Sequence, residues 1–148
     1  NHSLADTKKW FESGLLSSYQ GLYNYIDRNA TEFHGTKLTY RTENEILPYV
    51  RQTEIAFFPY CPLAQGFLSG KYDDIANLSK YDVRLSNTLF KNAKKGIFPE
   101  LIDNKSKQQL LEIAFDFLKS KKEITSIIAG VSSINQVKQN IQIIDKNQ

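Results

Sequence analysis

The sequence lacks methionine and contains a single cysteine, Cys61. One cysteine cannot form an internal disulfide, so the composition favours a reducing, intracellular setting, and we expect a cytoplasmic protein. No apolar run approaches the roughly 20 residues that cross a bilayer, so no membrane span is expected. Because the chain opens Asn1-His2-Ser3 without an initiator or a leader, we expect a processed chain or a fragment of a longer one.

An excess of charge of one sign is also missing. The formal net charge of +3 over 148 residues is too mild to indicate a nucleic-acid partner, since phosphate recognition usually shows as a concentrated basic face. Two histidines and one cysteine lack the spacing of metal ligands, so no metal site is expected. The length and the 41% of hydrophobic residues predict one globular domain over residues 1–148.

The first part of the chain predicts a helix, a strand and a long connection. Ser3 with Asp6 is typical of a capping box at a helix start, and Gly14 of a left-handed helix end. Residues 16–22 then have the composition of a strand. A polar connection follows, which runs to about residue 41.

A second helix and a central strand come next. Thr42 with Glu45 repeats the capping signal, and Pro48 is expected to shorten or bend that helix. The apolar run over residues 55–60 is continuous rather than alternating, which is typical of a strand covered on both faces of a parallel sheet. We therefore expect this strand to be central.

Residues 73–105 are polar with few periodic apolar positions, which predicts a long loop or flap. Ser106 with Gln109 predicts the cap of a clear helix. Its apolar stripe is expected to comprise Leu110, Ile113, Ala114, Phe117 and Leu118.

Residues 124–129 form another short apolar segment, predicted to be a strand. A last helix follows, with its inward face expected to comprise Ile134, Val137, Ile141 and Ile144. Alternating strands and helices of this kind predict an α/β fold, a parallel sheet with outer helices.

Ligands of such folds lie in the loops that follow the strands, because these loops converge on one face. Two segments qualify, residues 60–66 and residues 130–133. Gly130 would let the backbone approach a ligand, and the helix behind it offers unpaired N–H groups to an anion. The same residues would also serve simply to turn the chain and cap a helix, and spacing leaves both interpretations open.

Three segments resemble the aldo-keto reductase family. YCPLAQGFLSGKY at residues 60–72 is similar to its seventh-strand loop, and ITSIIAGVSS at residues 124–133 to its eighth strand and cofactor-binding helix. QGLYN at residues 20–24, with Asp27 and Arg28, resembles its sixth strand, and Asn1 the asparagine that closes the fifth. The resemblance implies the carboxyl-terminal half of a (β/α)8 TIM barrel that binds NADP(H) and reduces aldehydes and ketones.

The resemblance also implies cofactor contacts by position. Asn1 and Gln20 would hold the nicotinamide carboxamide, and Tyr60 would stack on the ring. The pyrophosphate would be lined by Cys61, Pro62, Leu63, Gly66 and Lys71.

The remaining implied contacts lie at the other end of the cofactor. Arg84, Ser132 and Gln136 would meet the ribose 2′-phosphate, and a guanidinium suits a dianionic phosphate. Gln139 and Asn140 would face the adenine.

No catalytic residue is assigned, because the family's Asp, Tyr, Lys and His tetrad belongs to the first four strands and nothing here corresponds to them. The chain alone is therefore predicted to be inactive, and the small carbonyl substrate belongs to the complete enzyme. The sequence departs from the family by a long connection over residues 29–44 and by an apparent skip between Ala114 and Phe115. These departures motivate two alternatives, a non-catalytic NADP-binding or regulatory module and a degenerate remnant that self-associates through exposed sheet edges.

Overall fold

The computed structural model of the chain describes residues 3–71, 78–95, 100 and 104–146. Its strands are β1 (Ser18–Leu22), β2 (Glu32–Phe33), β3 (Thr36–Lys37) and β4 (Ala56–Tyr60). Its α-helices are α1 (Leu4–Glu12), α2 (Leu47–Gln52), α3 (Thr88–Lys94), α4 (Lys107–Lys119) and α5 (Ile134–Asp145). A π-helical turn (Thr42–Ile46) and two 3-10 segments (Ala64–Ser69 and Val83–Ser86) complete the regular structure. The α/β class is confirmed.

The main sheet is parallel, with β4 in its centre as predicted. Strand β1 pairs with β4 so that Leu22 lies opposite Tyr60. On the other side of β4, residues 124–128 form parallel bridges at Ile124 with Phe57 and at Ile128 with Tyr60. The span from Ile124 to Ile128 is one residue longer than that from Phe57 to Tyr60, so this predicted strand bulges and pairs only at those two points.

Helices cover only one face of the sheet. Phe57 and Pro59 on β4 are buried, whereas Ala56, Phe58 and Tyr60 are half-buried. The expectation that β4 is covered on both faces is therefore wrong for the part of the chain that the structure describes. The covered face packs against a core formed by Phe11, Tyr23, Tyr40, Ile46, Leu47, Val50 and Leu118.

Two helix starts are fixed by local hydrogen bonds. The Ser3 hydroxyl accepts from the Asp6 N–H over 3.1 Å at the start of α1. At α4 the predicted capping box is complete, because Ser106 and Gln109 bond each other's backbone N–H through their side chains. Both predicted starts are confirmed, and each depends only on residues three positions apart.

The predicted cap at Thr42 is wrong. The Thr42 hydroxyl instead donates to the carbonyl oxygen of Leu22 over 2.8 Å, and Arg41, with no side-chain cap, precedes the π-helical turn. Pro48 lies in the first turn of α2, where its missing N–H costs least. A buried carbonyl at the end of β1 thus takes the hydroxyl that a helix cap would have used.

Helix α4 runs unbroken through Ala114 and Phe115, the point of the apparent skip. Of its predicted stripe, Ile113 and Phe117 are only half-buried. The buried residues are Leu110, Leu111, Ala114, Phe115 and Leu118. The apolar face is wider than predicted because α4 packs against the β4 loop on one side and α5 on the other.

The inward face of α5 differs from the predicted one. Ile134, Val137 and Ile141 are 74%, 39% and 51% exposed, and Ile144 is half-buried. Ile143 is buried instead, in a cluster with Leu111 and Phe115 of α4. Isoleucine lies on both faces of α5, so the sequence pattern alone does not decide which face is buried. Packing against α4 decides it.

Part of the predicted loop over residues 73–105 is folded. The Asn87 side chain caps α3, and Phe90 of that helix packs edge-on against Phe67 with the ring centroids 5.3 Å apart. The expectation of a loop is therefore wrong over Val83–Ser86 and α3, while residues 72–77, 96–99 and 101–103 lie outside the described residues. No helix among the described residues is both long and apolar enough to traverse a lipid bilayer.

Candidate functional site

The two predicted ligand loops leave the sheet at the same edge. The bridge between Tyr60 and Ile128 aligns the end of β4 with the end of residues 124–128, and the Ile128 N–H donates to the Pro59 carbonyl over 3.0 Å. Since the strands are parallel, the loops that begin at Cys61 and at Ala129 start side by side. This shared edge is the candidate site.

The loop after β4 has an unusual backbone. Cys61, Ala64 and Gln65 have φ values of +56°, +47° and +59°. Residues other than glycine rarely adopt this backbone region. Such strain persists only where surrounding structure enforces it, and it concentrates at functional sites. Here the N–H groups of Ala64 and Gly66 donate to the carbonyls of Cys61 and Leu63, both over 2.9 Å, and hold the loop in a tight coil.

Asn24 connects this loop to the end of β1. Its side chain is fully buried, and its Nδ2 donates to the Cys61 carbonyl and to Asp27, both over 3.0 Å. Its Oδ1 accepts from the N–H groups of Ile26 and Asp27. The sequence analysis gave Asn24 no role of its own, although an asparagine directly after a strand is a known signal for a side-chain turn.

Burial, with a nearby carboxyl, disfavours the thiolate form of Cys61. Burial raises the pKa of the Cys61 thiol, and the negative charge of Asp27 raises it further. Burial likewise raises the pKa of the Asp27 carboxyl, with the hydrogen bond from Asn24 opposing it. A thiol of this kind stays protonated and is a poor nucleophile at neutral pH.

Tyr60 and Gln20 lie on the half-covered face of the sheet. Gln20 on β1 is exposed and lies opposite Phe58, two residues along the strands from the pair of Leu22 and Tyr60. Burial raises the pKa of the Tyr60 hydroxyl, which hydrogen-bonds with Tyr40. The two predicted nicotinamide contacts thus share one face of the sheet, with Tyr60 at the end of β4 and Gln20 in the middle of β1, while Asn1 lies outside the described residues.

The predicted pyrophosphate residues differ in exposure. Pro62 is buried, Lys71 is exposed, and Cys61, Leu63 and Gly66 are half-buried. Leu63 packs against two core clusters, so its side chain belongs to the core and only its backbone remains for a ligand.

Arg84 borders an open cavity of about 490 Å³. Its Nη2 lies 2.6 Å from Asp82 Oδ2 and its Nε donates to Asp82 Oδ1 over 2.9 Å, and this hydrogen-bonded ion pair raises the pKa of the guanidinium. The cavity is lined by His34, Gln65, Asp82, Val83 and Arg84. Neither Ser132 nor Gln136 lines it, so the structure does not bring the three predicted phosphate contacts together there.

Gln65 is a site residue that the sequence analysis missed. Both polar atoms of its amide are buried without a hydrogen-bond partner among the described residues, although the residue lines the Arg84 cavity. A buried unpaired amide costs about 1–3 kcal/mol. Its place inside the loop motif was the available signal, and the orphaned amide has the chemistry to bind a polar ligand.

The second loop is built mainly as a helix cap. The Ser133 hydroxyl accepts from the Gln136 N–H over 3.3 Å, and the Gln136 Oε1 accepts from the Ser132 N–H over 2.7 Å. A side chain at Gly130 would meet nothing within 4 Å, so packing does not demand a glycine there. On α5, Gln139 is exposed whereas Asn140 is only 8% exposed. The two predicted adenine contacts therefore lie on different faces of the helix, one exposed to solvent and one buried.

Among the described residues, no cluster of three or more His, Cys, Asp or Glu side chains could hold a metal ion.

Comparison with protein families identifies the family of the chain. The model of the Aldo/keto reductase family matches residues 14–148. A search of curated proteins found no match.

Proposed function

The chain belongs to the aldo/keto reductase family, a family of oxidoreductases, and from that membership we propose that it is the NADP(H)-binding, carboxyl-terminal half of a (β/α)8 barrel. The complete barrel would reduce aldehydes and ketones to alcohols. The observation that carries the proposal is the common sheet edge at which the loops after Tyr60 and Ile128 begin. In a (β/α)8 barrel, this edge is where cofactor and substrate bind.

The uncovered face of the sheet supports a partial barrel. Ala56, Phe58 and Tyr60 alternate with the buried residues of β4 and are only half-buried, and Gln20 beside them is exposed. In a closed barrel this face is the interior, which side chains from the other strands fill. Further strands would therefore bury the half-exposed aromatic rings of β4.

The described residues fit a nicotinamide dinucleotide. Tyr60 and Gln20 offer a ring face and an amide on one side of the sheet, and Gln65 offers a buried amide that has no partner. Arg84 supplies a cation for a phosphate. When bound, the cofactor supplies the hydride that reduces a carbonyl carbon.

The buried tyrosines of this chain are the next candidates, as donors of the proton in the same reaction. Burial raises the pKa values of Tyr19, Tyr23 and Tyr60, and it raises that of Tyr40 to about 12. A general acid works best with a pKa near the operating pH. These four tyrosines are therefore poor donors, and we propose that a residue outside this chain donates the proton.

Two alternatives belong to other classes. A non-catalytic NADP-binding or regulatory module would need the same cofactor residues and no proton donor. The raised pKa values of Tyr40 and Tyr60 support this alternative as much as they support the half-barrel of a reductase. A degenerate remnant would self-associate, and the exposed Ile134, Val137 and Ile141 on α5 favour that outcome.

Calorimetric titration of the purified chain with NADPH tests the proposal, with NADH as the matched ligand that lacks one phosphate. We expect saturable binding that is tighter for NADPH, and no reduction of an aldehyde panel by the chain alone. Turnover above background would overturn the assignment of the proton donor to another segment. Failure of both nucleotides to bind a folded chain, as judged by circular dichroism, would overturn the cofactor assignment.

A further inference from the structure

The long connection over residues 29–44 is a folded insertion anchored at both ends. The Glu43 N–H donates to the Arg28 carbonyl over 3.0 Å, and the Asn44 N–H donates to the Asn29 side chain over 3.0 Å. Between them Leu38 is buried, and its N–H donates to the Thr31 carbonyl over 2.9 Å. These contacts give the tip of the insertion a fixed position.

The tip is a two-residue hairpin turn between β2 and β3. Phe33 pairs with Thr36, and the two residues between them, His34 and Gly35, have φ values of +51° and +74°. Positive φ at both central positions defines a type I′ turn, for which Asn-Gly is the preferred sequence. Histidine tolerates a positive φ, although asparagine is the residue preferred at this position.

The hairpin reaches the candidate site through Phe33. The Phe33 ring lies with its centroid 5.8 Å from that of Tyr60. The His34 ring stands edge-on to Phe33 at 4.2 Å. Through the Phe33 ring the insertion contacts the end of β4.

His34 also lines the Arg84 cavity, together with Gln65. It borders a second open cavity of about 540 Å³ along residues 80–86 as well. His34 is exposed, so neither core packing nor a buried hydrogen bond accounts for its imidazole. The unpaired amide of Gln65 in the first cavity independently indicates a polar ligand.

The charge balance of this cavity calls for more donors than Arg84 provides. Two of the guanidinium nitrogens already donate to Asp82. A phosphate dianion that approaches Arg84 also meets the Asp82 carboxylate, which repels it. The His34 imidazole and the Gln65 carboxamide, which line the same cavity, carry N–H groups that would offset that repulsion with hydrogen bonds.

We propose that the hairpin forms a wall of the cofactor site and that His34 binds, with Arg84, the phosphate on the ribose of NADP(H). This assignment rests on the proposed cofactor function and adds to it a specificity residue supplied by the insertion. The interaction distinguishes NADPH from NADH, because only NADPH carries that phosphate.

Titration of the His34→Asn chain with NADPH and with NADH tests the proposal. Asparagine keeps the turn, so the variant removes the imidazole without disturbing the hairpin. We expect the dissociation constant for NADPH to rise about five- to tenfold, the effect of one lost hydrogen bond, and that for NADH to stay within about twofold. Lys9→Ala, which removes an exposed positive charge from α1, outside the hairpin and the Arg84 cavity, is the control and should bind both nucleotides like the wild type.

A second measurement is independent of the affinities. The imidazole NMR signal that disappears in His34→Asn should shift when adenosine 2′,5′-bisphosphate is added to the wild type, and should not shift with 5′-AMP. Wild-type NADPH binding with an unchanged His34→Asn affinity would overturn the assignment of His34 and leave the proposed function intact. Equal weakening of NADPH and NADH would overturn the phosphate assignment, and a wild type that binds neither nucleotide would overturn the proposed function as well.

Discussion

The Asn24 side chain donates from Nδ2 to the backbone carbonyl of Cys61 over 3.0 Å, which joins the turn after β1 to the loop after β4. Both groups lie at the edge where the candidate cofactor loops begin. One buried amide thereby fixes the spacing between two neighbouring segments of the site.

Replacement of Asn24 by alanine should lower the free energy of unfolding by about 2–4 kcal/mol, because two backbone N–H groups lose their acceptor and one backbone carbonyl loses one of its two donors. These are the Cys61 carbonyl and the N–H groups of Ile26 and Asp27. Urea denaturation measures the change. Asn44→Ala, at an exposed side chain, is the control and should cost under about 0.5 kcal/mol; equal losses in the two variants would contradict the role of Asn24.

Gln65→Leu should separate stability from binding. The substitution removes a buried amide that has no partner, so the free energy of unfolding should rise by about 1 kcal/mol. NADPH affinity should fall about tenfold, because the ligand loses its hydrogen bonds with that amide. Thermal melts and calorimetry measure the two effects, with exposed Gln52→Leu as the control; unchanged NADPH affinity would show that Gln65 is not a ligand.

Asp27 should make the protein less stable as the pH rises. Burial raises the pKa of this carboxyl in the folded state above its unfolded value near 3.8. The stabilisation is therefore complete below that value and is lost as the pH rises through the folded-state pKa. Asp27→Asn, which cannot ionise, should match the wild type at low pH and exceed its stability at pH 7.

Glu43 serves as the control, because its pKa shift is opposite in sign to that of Asp27. Burial by itself would raise the pKa of Glu43, but hydrogen bonds from Lys121 and Tyr23 outweigh it and lower the pKa. Glu43→Gln should therefore lose stability relative to the wild type above about pH 4.5 and approach it in acid. Denaturation midpoints measured from pH 3 to pH 8 compare the variants, and parallel curves for wild type and Asp27→Asn would contradict the assignment.

Two glycines with the same backbone angle should respond differently to alanine. Gly14 and Gly70 both have φ +69°, but a Cβ would meet nothing within 4 Å at Gly14 and would lie 2.6–2.9 Å from Lys107 at Gly70. Gly14→Ala should cost about 1 kcal/mol from the backbone conformation alone. Gly70→Ala should cost about 1–3 kcal/mol more because of the clash, as measured by urea denaturation; equal costs would show that the contact with Lys107 relaxes freely.

Short-range signals in the sequence predicted much of the framework. The cap of α4 at Ser106 and Gln109 and the central position of β4 are confirmed, because capping bonds and apolar runs depend on neighbouring residues. Two of the wrong predictions concern a choice of partner. Thr42 bonds the distant Leu22 carbonyl instead of its own helix, and α5 docks through Ile143 rather than through Ile141.

The family, the alternation of helices and strands, and the two loops of the candidate site could be predicted without the fold, because motifs and periodicity depend on consecutive residues. Packing between distant segments leaves the Gln65 amide buried without a partner among the described residues, pairs Arg84 with Asp82 and brings His34 of the insertion to the cavity that both residues line. The physical reason is that burial and ion pairing depend on segments distant in sequence, and their positions follow from how the helices pack on the sheet.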